Sequence, residues 1–537
     1  MFFKKNTYYF IFMAFLPIMF LLAFGRFGFE DSDSGFIVGM GWRILNGEVP
    51  YKDFYYVRPV ISPLISSSLL YILPEYGQVI LMRLVNYYQL MIQVFLTVLI
   101  LSKYYNFKNL NINIYLFSIV SFLVTSIGCL YFQWHTTDGV FFAVIGFFLV
   151  SFFHNKSNFI LIISGLLFGI SFLTKQNFLI VPVLGCLFVF LEYGSKKSFF
   201  VFLGFILSLC FFYLYLFSNN TLELYFLQNT GSTTLLDLFK TGFVSYFLGH
   251  KFFLIYIFLS FFLFYLISFF KKGNKLKNLF ISLVFNLVVI NSICFIYLDG
   301  SPRIIMFDRL MPVLVFLLFL SLFFLKKENI KDHYITIALL GISWASSISW
   351  GGMSPLMFFT PVLFSAYYLI QTKTKIFDEK VNLYFIILIA FYSSITNSKP
   401  YRDNFIWNDY NEASLISKKL AFIQANKTSI AKHIELDKIL NKYDKTTILP
   451  SMPGAYYIHN KINYFSIDWA MDVEAAYDRK GLIEDIQSCC DYYIVEKKSL
   501  GQPIGTEGKF YSSITDYVLL NYHLYDSSYE FFNIYVK

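Results

Sequence analysis

The chain has 537 residues, of which 57% are hydrophobic and only 14% are charged. A soluble domain usually has about 45–50% apolar and about 25% charged residues. Together with a mean hydropathy of +0.58, this composition excludes a soluble enzyme, a disordered protein and a nucleic-acid binder. The net charge is +9, but residues 401–537 carry 15 basic and 18 acidic side chains, so the positive charge belongs to residues 1–400. Such a distribution is typical of a multi-pass membrane protein with one polar domain appended.

The apolar residues are grouped in long stretches. A membrane-spanning helix needs about 20 mostly apolar residues, and thirteen stretches of the sequence meet this requirement. They are residues 8–24, 79–102, 112–131, 138–154, 158–174, 177–192, 198–218, 251–270, 278–298, 306–325, 334–349, 354–370 and 381–397. We therefore predict an all-α polytopic membrane protein with about thirteen transmembrane helices.

The distribution of lysine and arginine predicts the orientation, because short cytoplasmic loops are enriched in these residues. With the N-terminus in the cytoplasm, the inner segments of residues 1–400 hold 17 basic and five acidic residues, and the outer segments hold 11 of each. An odd number of spans leaves the C-terminus outside. We predict a transmembrane domain at 1–399 with a long first outer loop at 25–78, followed by a small extracytoplasmic α/β domain at 400–537. Within that domain the pattern favours helices at 411–425 and 430–443 and strands at 446–450, 490–495 and 529–536.

Familiar cofactor motifs are missing from the sequence. It contains no Walker A loop, no nucleotide-binding glycine fingerprint and no GxSxG elbow, so coupling to ATP is unsupported. No cysteine or histidine spacing indicates a structural metal site, and we predict no cofactor, with a divalent cation as an open alternative. Cys489 and Cys490 are adjacent, and because a disulfide between neighbours is strained, we expect them to stay unbonded.

The first outer loop carries an unusual density of acidic residues. It reads Glu30-Asp31-Ser32-Asp33-Ser34-Gly35, then Gly47-Glu48-Val49-Pro50-Tyr51-Lys52-Asp53-Phe54, then Arg58-Pro59. Three acids within four residues repel each other unless a cation or a function holds them there. A solvated loop is the simplest interpretation. Carboxylates at the membrane boundary can also act as a general base or bind a divalent ion.

This order of residues resembles the first extracytoplasmic loop of the GT-C superfamily of integral-membrane glycosyltransferases. The clearest match covers roughly residues 30–95 and includes Arg83-Leu84-Val85-Asn86 at the start of the second span. The group includes the dolichyl-phosphate-mannose protein mannosyltransferases and the lipid A aminoarabinose transferases, which use polyprenyl-phosphate-linked sugars. The resemblance implies a catalytic acid before the glycine. Asp33 occupies that place and is the first choice for the base, with Asp31 as the reserve, because Ser34 stands where the second acid is usual.

Several basic residues are candidates for binding the phosphate of the donor. Lys175 lies in the outer turn between the fifth and sixth spans, where a snorkelling lysine is the alternative interpretation. Arg303 and Arg309 flank Asp308 before the tenth span, and an internal pairing with Asp308 is the alternative there. The resemblance favours Arg309, because relatives often carry a basic or aromatic residue ahead of a proline at this position. Arg58, before Pro59, is a further candidate.

Two polar residues near the start of the fourth span could line the cavity for the sugar or the acceptor. They are His135 and Asp138, in the sequence His135-Thr136-Thr137-Asp138. The same residues also form a good capping sequence for a helix N-terminus, which is the alternative interpretation.

Taken together, these features predict an inverting glycosyltransferase of the bacterial cytoplasmic (inner) membrane. It would move a sugar from a polyprenyl phosphate to a glycan, lipid or protein acceptor of the cell envelope, at the outer face. Its partners would be lipids and glycans and not nucleic acid. A lipid-linked oligosaccharide polymerase or an O-antigen ligase-type protein is the alternative. A transporter is disfavoured, because almost every charge falls at a predicted helix end and not at mid-membrane.

Overall fold

The structure is a computed structural model. It describes residues 7–105, 113–128, 132–229, 334–348 and, with short gaps, 387–537, together with isolated positions within 258–269. The predicted spans at 278–298, 306–325 and 354–370 lie outside the described residues, as do Arg303 and Arg309. Most of the predicted spans at 251–270 and 381–397 also lie outside them.

The described part of residues 1–399 is helical. Its helices are α1 (Thr7–Phe20), α2 (Asp33–Leu45), α3 (Ile61–Ile72), α4 (Gln78–Tyr104), α5 (Ile114–Gly128), α6 (His135–Phe153), α7 (Asn158–Phe172), α8 (Ile180–Tyr193), α9 (Ser195–Ser218), α10 (Leu222–Asn229) and α11 (Tyr334–Ile348). Five helical segments of the described chain are long and apolar enough to cross a membrane: Thr7–Gly25, Gln78–Tyr104, His135–Phe153, Gln176–Tyr193 and Ser195–Ser218. Shorter apolar helices occur at the predicted spans 112–131, 158–174 and 334–349. The protein is therefore a multi-pass membrane protein.

At one end of the bundle, the C-terminal ends of α4, α6 and α8 meet. Lys103 Nζ donates a hydrogen bond to the carbonyl oxygen of Ser151. The hydroxyl of Tyr104 lies 3.2 Å from that of Tyr193, and the ring of His154 stacks on Tyr193 at 3.8 Å between centroids. Three helices thus end together, which agrees with the predicted alternation of direction along the chain.

At the opposite end, the starts of α4 and α6 meet the first long loop. Gln93 Nε2 donates to the carbonyl oxygen of Thr137 at 2.9 Å, and Gln89 Nε2 donates to Asp138 Oδ1 at 2.7 Å. Gln176, in the turn before α8, donates to the carbonyl oxygen of Val57 at 2.9 Å. The loop between α1 and α4 therefore covers the end of the bundle that contains residues 135–138 and 173–177.

Residues 400–537 contain a four-stranded sheet with helices around it. The elements are β1 (Tyr410–Glu412), β2 (Gln424–Asn426), α12 (Lys427–Lys442), β3 (Thr446–Leu449), α13 (Pro453–Ile458), α14 (Arg479–Cys489), β4 (Tyr492–Glu496), α15 (Ser513–Asn521), β5 (His523–Asp526) and β6 (Phe532–Val536). The sheet order is β3-β4-β6-β5; β3 and β4 are parallel and the other pairs are antiparallel. The predicted strands are therefore present. The domain boundary at 399/400 stays a prediction.

Two sequence expectations in this region are wrong. Residues 411–425 are not helical: β1 and β2 pair antiparallel, and short 3₁₀ turns at Ala413–Leu415 and Lys418–Leu420 lie between them. The local pattern favours a helix here, but the backbone of Gln424 forms hydrogen bonds with the first loop instead. These long-range bonds replace the helix. In addition, Cys489 and Cys490 are joined in a disulfide, at the point where α14 ends and Cys490 is already extended.

The sheet region is fastened directly to the first loop. The backbone N–H of Gly28 donates to the carbonyl oxygen of Gln424 at 2.8 Å, and Gln424 N–H donates to that of Arg26 at 2.8 Å. Arg43, in the last turn of α2, forms a two-pronged ion pair with Asp468 at 2.8 and 2.9 Å. Both regions therefore lie on the same side of the helical bundle.

Helices α2 and α13 touch backbone to backbone, which requires glycine. A Cβ atom on Gly35 would lie 2.2 Å from the backbone nitrogen of Gly454. One on Gly39 would lie 2.5 Å from the carbonyl oxygen of Pro453. Neither neighbour is a flexible side chain, so an added methyl group can be accommodated only by moving the helices apart.

The first prediction concerns this contact. We expect Gly35→Ala to lower the free energy of unfolding by about 1–3 kcal/mol, the usual range for overpacking, and to expose the 400–537 region to protease. The thermal midpoint in detergent and the rate of limited proteolysis measure these effects. Ser34→Ala, which adds no atom at the neighbouring position, is the matched control. Unchanged stability of Gly35→Ala would show that the two helices do not pack this closely.

Candidate functional site

The N-terminus of α2 gathers the acidic residues of the first loop. The carboxylate of Glu30 accepts hydrogen bonds from the backbone N–H groups of Ser32 at 3.1 Å, Asp33 at 3.3 Å and Ser34 at 3.1 Å. A carboxylate at this point satisfies N–H groups that have no partner within the helix and complements the helix dipole. Glu30 therefore caps the helix and fixes the backbone that carries Asp31 and Asp33.

Asp31 is paired with the C-terminal region. It is 8% exposed, and its Oδ2 lies 3.0 Å from Lys432 Nζ and 2.8 Å from His433 Nε2, both on α12. Burial alone would raise the pKa of this carboxyl, but the charge of Lys432 and the hydrogen bond from His433 together hold it well below its usual range. The sequence predicted that a cation or a function holds these acids together, and Lys432 is a cation beside one of them, Asp31.

Asp33 has a different partner. It is 7% exposed and begins α2, and its Oδ2 accepts a hydrogen bond from the hydroxyl of Tyr401. Since residues three apart lie on the same face of a helix, Asp33 shares its face with Phe36. Asp33 is thus held by a neutral phenol, whereas Asp31 is held by a lysine and a histidine.

Phe36 is the centre of an aromatic cluster next to Asp33. Its ring lies 4.7 Å from that of Trp469, 6.0 Å from Trp134 and 6.1 Å from Tyr56, measured between centroids. The guanidinium carbon of Arg58 lies 5.2 Å from the centre of the Phe36 ring. The cluster therefore combines the first loop, the start of α6 and the C-terminal region.

Arg58, predicted as a phosphate ligand, is engaged in a two-pronged ion pair. Its two terminal nitrogens donate to the carboxylate oxygens of Glu474 at 2.7 and 2.6 Å. Burial would lower the pKa of Arg58, but the charge of Glu474 outweighs it and raises the pKa above its usual value. Phosphate would have to displace Glu474 in order to bind the same two nitrogens of Arg58.

His135 and Asp138 lie together at the start of α6, as the sequence predicts. Both are buried, and the ring of His135 lies 4.4 Å from that of Trp134. The helix has Trp134 at its N-cap and no side-chain capping bond, so the capping alternative is not what the structure shows. Neither ring nitrogen of His135 has a hydrogen-bond partner in the described part of the chain. Lys175 and Arg58 are both close enough to interact electrostatically with His135.

A pocket opens on the other side of α2. Its volume is about 490 Å³ including the open mouth, and Asp31, Ser34 and Arg83 are among the residues that line it. Arg83 donates to the carbonyl oxygens of Gly25 at 2.9 Å and Gly28 at 2.7 Å. It therefore shapes the backbone after α1. Within the described ranges, no group of three or more His, Cys, Asp or Glu residues could hold a metal ion.

Sequence reasoning missed the partners that the C-terminal region supplies. These are Tyr401 for Asp33, Lys432 and His433 for Asp31, and Glu474 for Arg58. Each lies more than 360 residues away along the chain, and none belongs to a recognisable motif. Only the local charge imbalance in the first loop indicated that such partners exist.

The second prediction tests the Arg58–Glu474 pair. Glu474→Gln leaves a buried guanidinium without its countercharge, and we expect the free energy of unfolding to fall by about 3 kcal/mol. Thermal unfolding in detergent measures the loss, and Glu412→Gln, on an exposed strand residue, is the matched control. If the two variants are equally stable, the ion pair is not formed in the folded protein.

Comparisons with known proteins give structural similarities only. No protein-family model and no curated protein matches the chain. The structure is similar to an oligosaccharyltransferase of Archaeoglobus fulgidus crystallised with Zn and sulfate, with 12% identity and a TM-score of 0.45 over 90% of this chain and 68% of that one. A second structure of that enzyme, tethered to an acceptor peptide, shows 12% identity and a TM-score of 0.46 over 92% of this chain and 69% of that one.

It is also similar to apo ArnT of Cupriavidus metallidurans, with 8% identity and a TM-score of 0.42 over 99% of this chain and 98% of that one. These proteins are GT-C glycosyltransferases, the group that the first outer loop resembles. Because every TM-score is below 0.5, we draw no conclusion about activity from these similarities.

Proposed function

We propose that the protein transfers a sugar from a polyprenyl-phosphate-linked donor to a glycan, lipid or protein acceptor of the cell envelope. The observation that carries this proposal is the position of Asp33. It is a buried carboxylate at the start of α2, it lies where the motif of the first loop resembles the GT-C pattern, and it is held by a neutral hydroxyl.

The chemistry of such a transfer needs a base and a phosphate site. An acceptor hydroxyl attacks the anomeric carbon, its proton passes to a carboxylate, and the lipid phosphate leaves from the opposite face of the sugar ring, which inverts the configuration. Asp33 suits the role of base. Asp31 does not, because its low pKa makes the carboxylate a weak base. We assign Asp31 to holding the loop.

We propose Lys175 as a ligand of the donor phosphate. It lies in the turn whose next residue, Gln176, bonds to Val57 of the first loop, and its charge reaches His135. Arg58 lies nearby but is bound to Glu474. Arg309 and Arg303 stay predictions. Cations stabilise the negative charge that develops on a departing phosphate.

The aromatic cluster around Phe36 suits a sugar. The hydroxyl of Tyr56 and both ring nitrogens of His135 are buried and have no hydrogen-bond partner among the described residues. Buried polar groups without partners are costly, and the hydroxyls of a sugar ring would satisfy them. Asp138, which interacts electrostatically with Tyr56, is the third residue of this sugar site in our proposal.

The site would face the outer side of a bacterial cytoplasmic membrane. The lysines at 103, 156, 196 and 197 belong to the end of the bundle opposite the first loop and the C-terminal region. Under the positive-inside rule, that end is cytoplasmic and the C-terminal region is extracytoplasmic.

The third prediction tests the base. Asp33→Asn keeps the size of the side chain but removes its basicity, and transfer should fall by about 10²–10⁴-fold. Asp31→Asn should instead reduce stability, because it removes the charge that faces Lys432, with much less effect on the rate per folded molecule. The assay is mass spectrometry of surface glycans from a deletion strain complemented with each variant, normalised to folded protein.

A result in which Asp31→Asn abolishes transfer while Asp33→Asn retains it would exchange the two roles. If neither variant changes the glycans that the wild-type chain restores, the first loop is not the active site. The polymerase or ligase alternative would then be preferred.

The fourth prediction tests the phosphate site. Lys175→Gln should weaken binding of undecaprenyl phosphate to the purified chain by at least about tenfold, because a charge-assisted bond to phosphate is lost. Lys156→Gln, at the opposite end of the bundle and exposed, is the matched control. Equal affinities for the two variants would identify Lys175 as an interfacial anchor.

A further inference from the structure

Two histidines connect Asp31 to the protein surface. His433 Nε2 lies 2.8 Å from Asp31 Oδ2, and His433 Nδ1 lies 3.2 Å from His459 Nε2. His459 Nδ1 lies 3.0 Å from Asp437 Oδ1. Asp31 lines the pocket beside α2, and the side chain of Asp437 is 47% exposed. We call these four residues the Asp–His–His–Asp chain.

The Asp–His–His–Asp chain has three contacts of hydrogen-bond length, and each contact needs one proton to become a hydrogen bond. Two neutral imidazoles supply two N–H groups, and two ionised carboxylates supply none. With only these protons, one of the three contacts must bring two acceptors together, which is repulsive. All three hydrogen bonds form only if the Asp–His–His–Asp chain holds one extra proton.

The surrounding groups indicate where this proton resides. Burial and the neighbouring His433 lower the pKa of His459 to about 3, so His459 is neutral. Lys432 and His433 hold the pKa of Asp31 well below its usual range, so Asp31 is ionised. His433 has a contact at each ring nitrogen, and the extra proton allows it to donate from both, to Asp31 and to His459.

Other charged groups face the Asp–His–His–Asp chain from the elements packed against it. Lys432 lies 3.0 Å from Asp31 and 3.3 Å from Glu496 on β4, so its charge is shared between two carboxylates. The charges of Lys419 and Lys461 act on His459 from the segments before β2 and after α13. Glu30 and Arg83 lie with Asp31 around the pocket. The positive groups oppose an extra proton, and the carboxylates of Asp31, Asp437, Glu496 and Glu30 favour it.

We propose that Asp31, His433, His459 and Asp437 share one extra proton, and that this proton fastens the first outer loop to the C-terminal region. His433 and His459 are then positioning residues for the loop that presents Asp33, a role that rests on the proposed function. Loss of the proton leaves one of the three contacts without a hydrogen bond and removes the charge assistance from the bond between His433 and Asp31, which weakens the hold on the loop two residues before Asp33. The fastening itself is a property of the fold and does not depend on the reaction.

One substitution distinguishes the effect of the extra proton from that of the three hydrogen bonds. Asp437→Asn places an amide that can donate from Nδ2 to His459 Nδ1. His459 then donates from Nε2 to His433, and His433 donates from Nε2 to Asp31. All three bonds form with two neutral imidazoles, so the variant keeps the contacts without the extra proton.

The fifth prediction follows from proton linkage. The wild-type folded state holds a proton that the unfolded state releases as the pH rises, so stability must fall from pH 6 to pH 9. One proton changes the unfolding equilibrium by up to about tenfold per pH unit. Thermal unfolding of the full chain in detergent should show this slope for the wild type and for the exposed control Asp444→Asn. Asp437→Asn should lose it.

A second measurement covers the case in which Asp437→Asn is poorly folded. Nitrogen-15 spectra of the histidine-labelled wild-type chain in lipid at pH 8 should show one imidazolium, and His433→Gln should remove that signal. An unchanged stability slope in folded Asp437→Asn, or no imidazolium in the wild type, would overturn the proposal. If the slope and the imidazolium are present but the wild type transfers no sugar, the proposed function fails and the shared proton stands.

Discussion

The buried contact between Asp31 and the two basic residues Lys432 and His433 connects parts of the chain that are 400 residues apart. Bringing an ionised carboxylate out of water is unfavourable unless opposite charge and hydrogen bonds replace the lost hydration. Lys432 and His433 provide both, but only when α12 lies against the start of α2. The first loop and the C-terminal region therefore depend on each other for their arrangement. Glycine packing at Gly35 and the Arg43–Asp468 pair then fix the distance between them.

This mutual dependence explains how the candidate site is assembled. Asp33 comes from α2, His135 from α6, Lys175 from the turn before α8, and Trp469 and Glu474 from the C-terminal region. The helical bundle alone would present the start of α6 and Lys175 to water. The C-terminal region covers the aromatic cluster around Phe36 and supplies Tyr401 to Asp33. Asp33 is therefore only 7% exposed although it lies at the end of the bundle.

The sequence predicted those features that depend on local pattern. The long apolar helices, α12 and the strands β3, β4 and β6 follow from periodicity over a few residues. The pairings of Asp31, Asp33 and Arg58 did not follow, because each depends on which distant segment packs against the first loop. The same long-range packing overrode the local pattern at 411–425, where the backbone of Gln424 bonds to Arg26 and Gly28 instead of forming a helix.

Asp31 and Asp33 illustrate how environment, and not residue type, separates two roles. They are two residues apart, equally buried, and both follow the capping carboxylate Glu30. A lysine and a histidine neutralise Asp31, which stabilises its ionised form so strongly that it is a poor proton acceptor. Asp33 accepts a hydrogen bond from the phenol of Tyr401. The contacts that anchor Asp31 to the C-terminal region also make its carboxylate a weak base, so the proposed base and the anchor of the loop are two different residues.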